Sequence, residues 1–300
     1  MSLWKCLVMD VHLVDGTYEL FRHFYAVPSH VTDDGREVAA ARAVVGSMLM
    51  MIEDGATHVG VATDQVIESF RNELWPTYKD GSGIDPGLWS QFPILEDTLE
   101  AAGFAVFAMV DHEADDALAA VAKAAAADPT VERVLIATPD KDLAQCVVDG
   151  RVWQFDRRKG ALIGVADVIE KFGVPPESIP DWLALVGDSA DGFPGVPGWG
   201  AKSAATVLAR WGHVDAIPEN PADWDVTVRG AARLADALAD HREDAVLFRR
   251  LATLVDDCVE LDSVDELRWT GPRADFTEVA AAIDAPGLTQ RAEKLASKRS

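Results

Sequence analysis

The sequence predicts an α/β fold, a mostly parallel sheet wrapped by helices, with a helical region after it. Two observations predict this. Through about residue 180, short apolar β-type runs alternate with amphipathic helical stretches, the pattern that strands and their crossover helices leave in a chain. From about Asp181 onward no β pattern persists, and helical stretches dominate through Leu251. The expected organisation is an α/β core over residues 1–180 and a helical region over 181–300.

Strands are expected at Cys6–Val14, His58–Thr63, Ala105–Val110, Arg133–Thr138 and Arg151–Phe155, where apolar and β-branched residues form runs too short for helices. Helices are expected at Glu37–Glu53, Gly87–Ala102, Ala114–Ala127 and Val165–Phe172, from helical spacing of apolar positions. Alanine, the best helix former, reinforces the third of these. Between Glu68 and Pro86 the periodicity dissolves around Pro76, Gly81, Gly83 and Pro86, with Trp75, Tyr78 and Lys79 among them. A loop of this length inside a compact domain is usually a lid or a binding segment; a plain surface loop is the alternative. The polar, basic tail after Pro286 reads as a frayed terminus.

Nearly half the residues are apolar, yet no uninterrupted apolar run reaches the roughly 18–20 residues that span a bilayer. Leu7–Val8–Met9 is cut short by Asp10 and lacks a charged leader and a small-residue cleavage site, so no secretory signal is read and a cytoplasmic address is expected. Cys6, Cys146 and Cys258 are widely spaced, with no C-x-x-C pair, and read as ordinary core thiols. Net charge is −23, which alone argues against nucleic acid, because phosphate binding draws on clustered Lys and Arg. A nucleic-acid ligand fits only if much of the acidity sits in a metal site and local charge meets the phosphates. A generally acidic proteome is the alternative.

Three apolar β runs end in acid: Leu13–Val14 leads to Asp15, Gly60–Val61–Ala62 to Asp64, and Leu135–Ile136–Ala137 to Asp140 and Asp142. A fourth, Phe107–Ala108–Met109–Val110, is followed by Glu113, Asp115 and Asp116 at a helix start. Parallel sheets build sites at the carboxyl ends of their strands, so four strand ends point acids at one rim. Singly, each acid has a plain explanation as a helix cap or loop former. Together they would resist joint ionisation without a counter-charge. Divalent Mg²⁺ or Mn²⁺ resolves this, because such ions take oxygen ligands and, paired about 3.5–4 Å apart, clamp the attacking and leaving oxygens of a phosphoryl displacement. Asp188 and Asp191, within Gly187–Asp188–Ser189–Ala190–Asp191–Gly192, are taken with the same cluster; alone the segment reads as a surface loop, and the spacing and terminal Glu of a calcium loop are absent. Asp10 and His12 read as structural, and His112, just ahead of Glu113, reads as a solvent-exposed loop histidine, a base being the alternative. No Ser–His or Cys–His arrangement stands nearby to supply a covalent nucleophile.

Downstream, Gly195–Val196–Pro197–Gly198–Trp199–Gly200–Ala201–Lys202–Ser203–Ala204 reads as a glycine-flanked hairpin within about 187–211. The helix that follows would offer free backbone N–H groups, with Lys202 close by, to a phosphate oxygen. A helix connection without a ligand is the alternative. Here the sequence closely resembles the bacterial 5′–3′ exonuclease and flap endonuclease family, including the 5′-nuclease domain that heads many DNA polymerase I chains. The carriers are LVDG with the Tyr18-to-Arg22 stretch, SFR and TYK in the long loop, EADD, TPDKDL and GDSADGFPGVPGWGAKSA, spread over nearly the whole chain.

The resemblance implies a nuclease core related to the PIN fold, a short arch at about 68–90, and a helix–three-turn–helix motif that grips duplex DNA. By that likeness Asp15, Asp64, Glu113 and Asp115 hold a first ion, while Asp115 or Asp116 with Asp140, Asp142, Asp188 and Asp191 serve a second. Lys79 is the implied arch lysine that positions the scissile phosphate, Tyr78 a face for base stacking and Arg71 a phosphate contact. Arg22, Gly195, Gly198, Gly200, Lys202 and Ser203 are implied DNA contacts, with a K⁺ ion on backbone carbonyls of the hairpin. The implied activity is hydrolysis of DNA at 5′ flaps and 5′ ends during repair or replication, leaving a 5′-phosphate and a 3′-hydroxyl. Ala62–Thr63–Asp64–Gln65 stands where relatives carry Phe–Asp–Ala, and Asp191–Gly192–Phe193–Pro194 where they carry Asp–Asn–Pro-like loops. Little base beyond Arg71 and Lys79 occupies the arch, but every expected ligand is present. No polymerase segment follows within the 300 residues, so a stand-alone nuclease is expected. A monomer is expected as well. The alternatives are a PIN-class single-strand ribonuclease, which typically lacks the glycine hairpin, and a non-catalytic branched-DNA binder, against which the full acid set argues.

Overall fold

The computed structural model describes Met9 to Arg299; the expected strand residues Cys6, Leu7 and Val8 lie outside the described residues. In chain order come β1 (Met9–Asp15), α1 (Gly16–Phe24), α2 (Ala39–Glu53), β2 (His58–Asp64), α3 (Phe70–Leu74), α4 (Pro86–Trp89), α5 (Gln91–Ala101), β3 (Ala105–Met109), α6 (Ala114–Ala127) and β4 (Val131–Ala137). Then follow β5 (Val152–Asp156), β6 (Ala161–Ile163), α7 (Val165–Phe172), α8 (Ile179–Val186), α9 (Ala201–Trp211), α10 (Ala231–Asp240), α11 (Arg242–Ala252), α12 (Phe276–Ala282) and α13 (Gly287–Ser297). Packing divides the chain into two compact units: one of the residues up to Ile67, Gly81–Thr138 and those from Asp256 onward, the other of Glu68–Asp80 and Pro139–Val255.

In the first unit β1 pairs in parallel with β2 and with β4, and β3 pairs in parallel with β2. Leu13 lies opposite both Gly60 and Ile136. Every residue of β2 is buried, as expected for a parallel strand covered on both faces. Because the strands run the same way, their carboxyl ends share one edge. The chain turns from β1 straight into α1, with Asp15 as both last strand residue and helix N-cap; its Oδ1 accepts from the Tyr18 N–H at 2.8 Å. Gly16 makes that turn feasible, since a Cβ there would lie 2.8 Å from Ala62 O and from side-chain carbons of Val61 and Thr63.

The helix expected over Gly87–Ala102 is two helices, broken at Ser90. Pro93 explains the break: it has no N–H to give the Trp89 carbonyl and its ring crowds that position, so it is tolerated only in the first turn of a new helix. The tail after Pro286 does not fray. It forms α13, with Ala292 and Leu295 buried, and Arg291 donates to Glu53 at 2.6 and 2.9 Å and to the Gly46 carbonyl at 3.0 Å. Leu288, Ala292 and Leu295 recur at helical spacing, a stripe that the surrounding charges mask in the sequence.

The second unit holds the antiparallel pair β5–β6, with Gln154 opposite Ile163, and helices α3 and α7 to α11 around a core that includes Tyr78, Leu183, Phe193, Leu208, Phe248 and Leu251. No helix among the described residues is long and apolar enough to cross a membrane. Cys146 and Cys258 are half-buried cysteines outside any disulfide.

Candidate metal centre

In the first unit the acids stand at neighbouring strand ends and are fixed by local bonds. Asp15 Oδ2 accepts from Thr138 Oγ1 at 2.9 Å, which ties the end of β1 to the residue after β4. The Asp64 N–H donates to Thr17 Oγ1 at 2.8 Å, and Asp64 Oδ1 accepts from the Ala114 N–H at 2.7 Å, joining β2 to the starts of α1 and α6. Glu113 is the N-cap of α6, and its N–H donates to Asp116 Oδ2 at 3.0 Å. Asp116 is fully buried and serves as the capping partner, while Asp115 beside it is half-buried. Asp15, Asp64 and Glu113 are all buried. Helix N-termini carry partial positive charge, which eases such carboxylates but does not neutralise them.

In the second unit Asp142, Asp188 and Asp191 each offer an oxygen within 4.8 Å of the others. Asp142 opens the five-residue 3₁₀ segment Asp142–Cys146, and its N–H donates to Asp140 Oδ1 at 2.9 Å. Asp188 and Asp191 lie in a tight loop closed by Asp188 N–H to Phe193 O at 2.8 Å and Phe193 N–H to Asp188 O at 3.0 Å. Gly187 and Gly195 close the loop's base: a Cβ on Gly195 would sit 2.3 Å from the Gly187 nitrogen.

Burial, then the charges of Asp140 and Asp191, push the Asp142 carboxyl well above the usual carboxylate range, against the pull of Lys141. Asp142 Oδ1 is buried with no hydrogen-bond donor. Lys141 bonds to Asp188 and lies 3.6 Å from Asp142 Oδ1. Burial opposes its charge, but Asp142, Asp188 and Asp140 hold its ammonium protonated well above the ordinary lysine range. Three convergent carboxylates, one with an orphaned oxygen, form an oxygen-donor set of the kind that hard divalent cations take. Lys141, which sequence reasoning did not single out, supplies part of the missing charge; a lysine between two acids in Asp140–Lys141–Asp142 was the available signal.

The expected arch residues divide. The Lys79 N–H donates to Asp191 O at 3.1 Å, so its backbone is fastened to the loop that bears the acids. Trp75 Nε1 and Thr77 Oγ1 each donate to Gly192 O at 3.0 Å. Arg71, expected to touch phosphate, is instead 1% exposed, with Nε donating to Leu251 O at 2.8 Å and an Nη to Thr253 O at 3.1 Å. Its guanidinium is engaged by main-chain carbonyls, and that expectation is corrected. Tyr78 is likewise buried in the hydrophobic core, so it has no ring face turned to a base. In α1, Arg22 is paired with buried Glu19. Gly198 adopts a left-handed backbone, φ 82°, in the turn before α9. Gly200 caps α9, its N–H bonded to Ser203 Oγ at 3.0 Å, while Lys202 is exposed.

The family model described as 5′-3′ exonuclease, N-terminal resolvase-like domain, matches residues 10–173, and that described as 5′-3′ exonuclease, C-terminal SAM fold, matches residues 174–275. The chain belongs to the 5′-3′ exonuclease family. DNA polymerase I of Pseudomonas aeruginosa is 36% identical over 266 residues, covering 85% of this chain and 28% of that protein, so the chain spans under a third of this relative's length. A bacteriophage T5 flap endonuclease variant, solved as a pseudo-enzyme–product complex with DNA and metal ions, aligns over 96% of this chain and 99% of its own at a TM-score of 0.63 and 21% identity. The catalytic core of Rad2, solved with a DNA substrate, aligns over 92% of this chain and 93% of its own at a TM-score of 0.54 and 12% identity. These structural likenesses bear out the expected fold, a PIN-like nuclease core followed by a helical region, in a member of the 5′-3′ exonuclease family.

Proposed function

We propose that this chain is a structure-specific 5′ nuclease that hydrolyses DNA phosphodiester bonds at 5′ flaps and 5′ ends, using two divalent cations, Mg²⁺ or Mn²⁺. The observation that carries the reading is the convergence of Asp142, Asp188 and Asp191 around the orphaned oxygen of Asp142 in a chain of this family. These residues, with Asp140, would hold one cation. Asp15, Asp64, Glu113 and Asp115, at adjoining strand ends, would hold the other. Bound cations would supply charge neutralisation at the phosphate and activation of the attacking water. The protein's own part is to hold the carboxylates rigid through Thr17, Thr138 and the cap of α6, and to bring Lys79 to the phosphate. The DNA and metal ions of the T5 complex, and the DNA substrate of Rad2, support nucleic acid and cations as ligands. Lys202 and the first N–H groups of α9 suit a backbone phosphate, and a K⁺ ion on the Gly195–Gly200 carbonyls would screen it. Action as a monomer in the cytoplasm, in DNA repair or replication, completes the proposal.

The test incubates pure protein with labelled 5′-flap DNA, linear duplex DNA and single-stranded RNA, each with Mg²⁺, Mn²⁺ or EDTA. Cleavage of flap DNA with metal and none with EDTA is expected. Preferential cutting of RNA would make the chain a ribonuclease, and DNA binding without cleavage would make it a structural binder; either overturns the reading.

A further inference from the structure

The two residues that flank Asp64 share one partner. Thr63 Oγ1 donates to Glu96 Oε1 at 2.7 Å, and Gln65 Nε2 donates to Glu96 Oε2 at 3.2 Å. Side chains alternate along a strand, so Thr63 points to the side of β2 opposite Asp64, and Gln65, just past the strand end, reaches the same Glu96. A single carboxylate on α5 can therefore grip the strand end behind the metal-facing acid. Glu96 is 5% exposed and Thr63 is fully buried. Burial raises the Glu96 carboxyl above its ordinary range, while the donations from Thr63 and Gln65 pull it down. An apolar side chain would fill the same space without the cost of desolvating an acid, so stability alone does not account for a glutamate here.

We infer that Glu96 is a positioning residue, which holds the backbone on either side of Asp64 and so fixes the direction of its carboxylate toward a bound cation. The inference rests on the proposed reading of Asp64 as a metal ligand. Outer partners of a ligand orient it and raise its affinity, and their loss typically costs about 10–100-fold in metal binding. Thr17 accepts from the Asp64 main chain and Ala114 donates to its carboxylate, a set of bonds that shares no partner with those of Glu96.

The test measures Mn²⁺ binding by calorimetry, and the Mn²⁺ concentration giving half-maximal flap cleavage, for the wild type, Glu96→Ala, Glu96→Gln and Thr63→Val. Glu96→Ala is expected to weaken binding at the Asp64 site by about 10-fold or more and to raise the half-maximal concentration in parallel, with cleavage recovering as Mn²⁺ is raised. Glu96→Gln keeps an acceptor for Thr63 but sets an amide against the Gln65 amide, so a smaller loss is expected. Thr63→Val removes one arm, and combined with Glu96→Ala it should be no worse than Glu96→Ala alone. If Glu96→Ala does not fold, Glu96→Gln and Thr63→Val carry the test. Variants that lose thermal stability but bind Mn²⁺ as the wild type does would overturn the inference and leave the metal centre standing. A wild type that binds no Mn²⁺ would overturn the metal centre and the inference together; one that binds Mn²⁺ without cleaving would refute the nuclease reading, while binding still decides the role of Glu96.

Discussion

Asp142 and Arg71, both expected from the sequence to serve the phosphate, have opposite characters in the structure. Asp142 is a buried carboxyl among like charges. A carboxyl whose folded-state pKa is raised favours the protonated fold, and its ionisation costs stability as pH rises through the folded value. Asp142→Asn should therefore raise the melting temperature of the metal-free protein at neutral pH, at about 2–4 °C for each kcal/mol relieved. The same variant should lose the stabilisation that Mn²⁺ gives the wild type and lose cleavage; calorimetric melts with and without Mn²⁺ check both signs. Arg71 behaves as a structural staple. Arg71→Ala leaves the buried Leu251 carbonyl and the part-buried Thr253 carbonyl without its donors, so a loss of about 2 kcal/mol or more is expected in denaturant melts. A stable fold with weakened DNA binding would restore the phosphate contact. The sequence could not separate these cases, because a charge near a site looks the same whether it faces the ligand or the Leu251 and Thr253 carbonyls far along the chain.

Elements were legible where local pattern and tertiary demand agree. Ala114–Ala127 and Val165–Phe172 form helices at the expected bounds, and the buried strands read as continuous apolar runs. Helix α1 was missed because no linker separates it from β1, and the three-residue β6 is too short to show alternation. The Asp188–Asp191 loop is the element on which the second unit's site depends. A Cβ on Gly192 would lie 1.9 Å from Thr77 O, so Gly192→Ala should push the loop off the Trp75–Lys79 segment. Weakened Mn²⁺ binding and slower flap cleavage are expected, and unchanged values for both would show that the loop is not held from that side. Helix α2 has no side-chain cap from Val38; Glu37 takes that place, accepting from the N–H groups of Ala39 at 2.9 Å and His30 at 3.0 Å and from the Ser29 hydroxyl. Burial pushes the Glu37 carboxyl up, but those donors hold it below the ordinary range. A lowered carboxyl contributes stability above its unfolded value, near about pH 4.3, that is lost as pH falls through the folded one. Melts of Glu37→Gln should fall below wild type at pH 6 and converge with it in strong acid; a constant gap would exclude the linkage.

At the scale of the whole molecule, the placement of the acids is what would reconcile a net charge of −23 with the proposed nucleic-acid ligand. On the proposed reading, cations held by the carboxylates of each unit would offset their charge, and Lys79 and Lys202 would add local positive charge for a phosphate to meet. The parallel strands were readable because each announces itself locally, and so were the acids that end them. The exchange of chain between the two units, with Glu68–Asp80 packed in one and Gly81–Thr138 in the other, was not, because no local pattern encodes which distant segment a loop joins. The measurement that bears most directly on the account is anomalous diffraction from crystals soaked in Mn²⁺. A manganese peak bonded to carboxylate oxygens of Asp142, Asp188 and Asp191 is expected, at roughly 2.0–2.2 Å as for other small hard cations. Crystals that take up no manganese there, with those three side chains still converged, would contradict it.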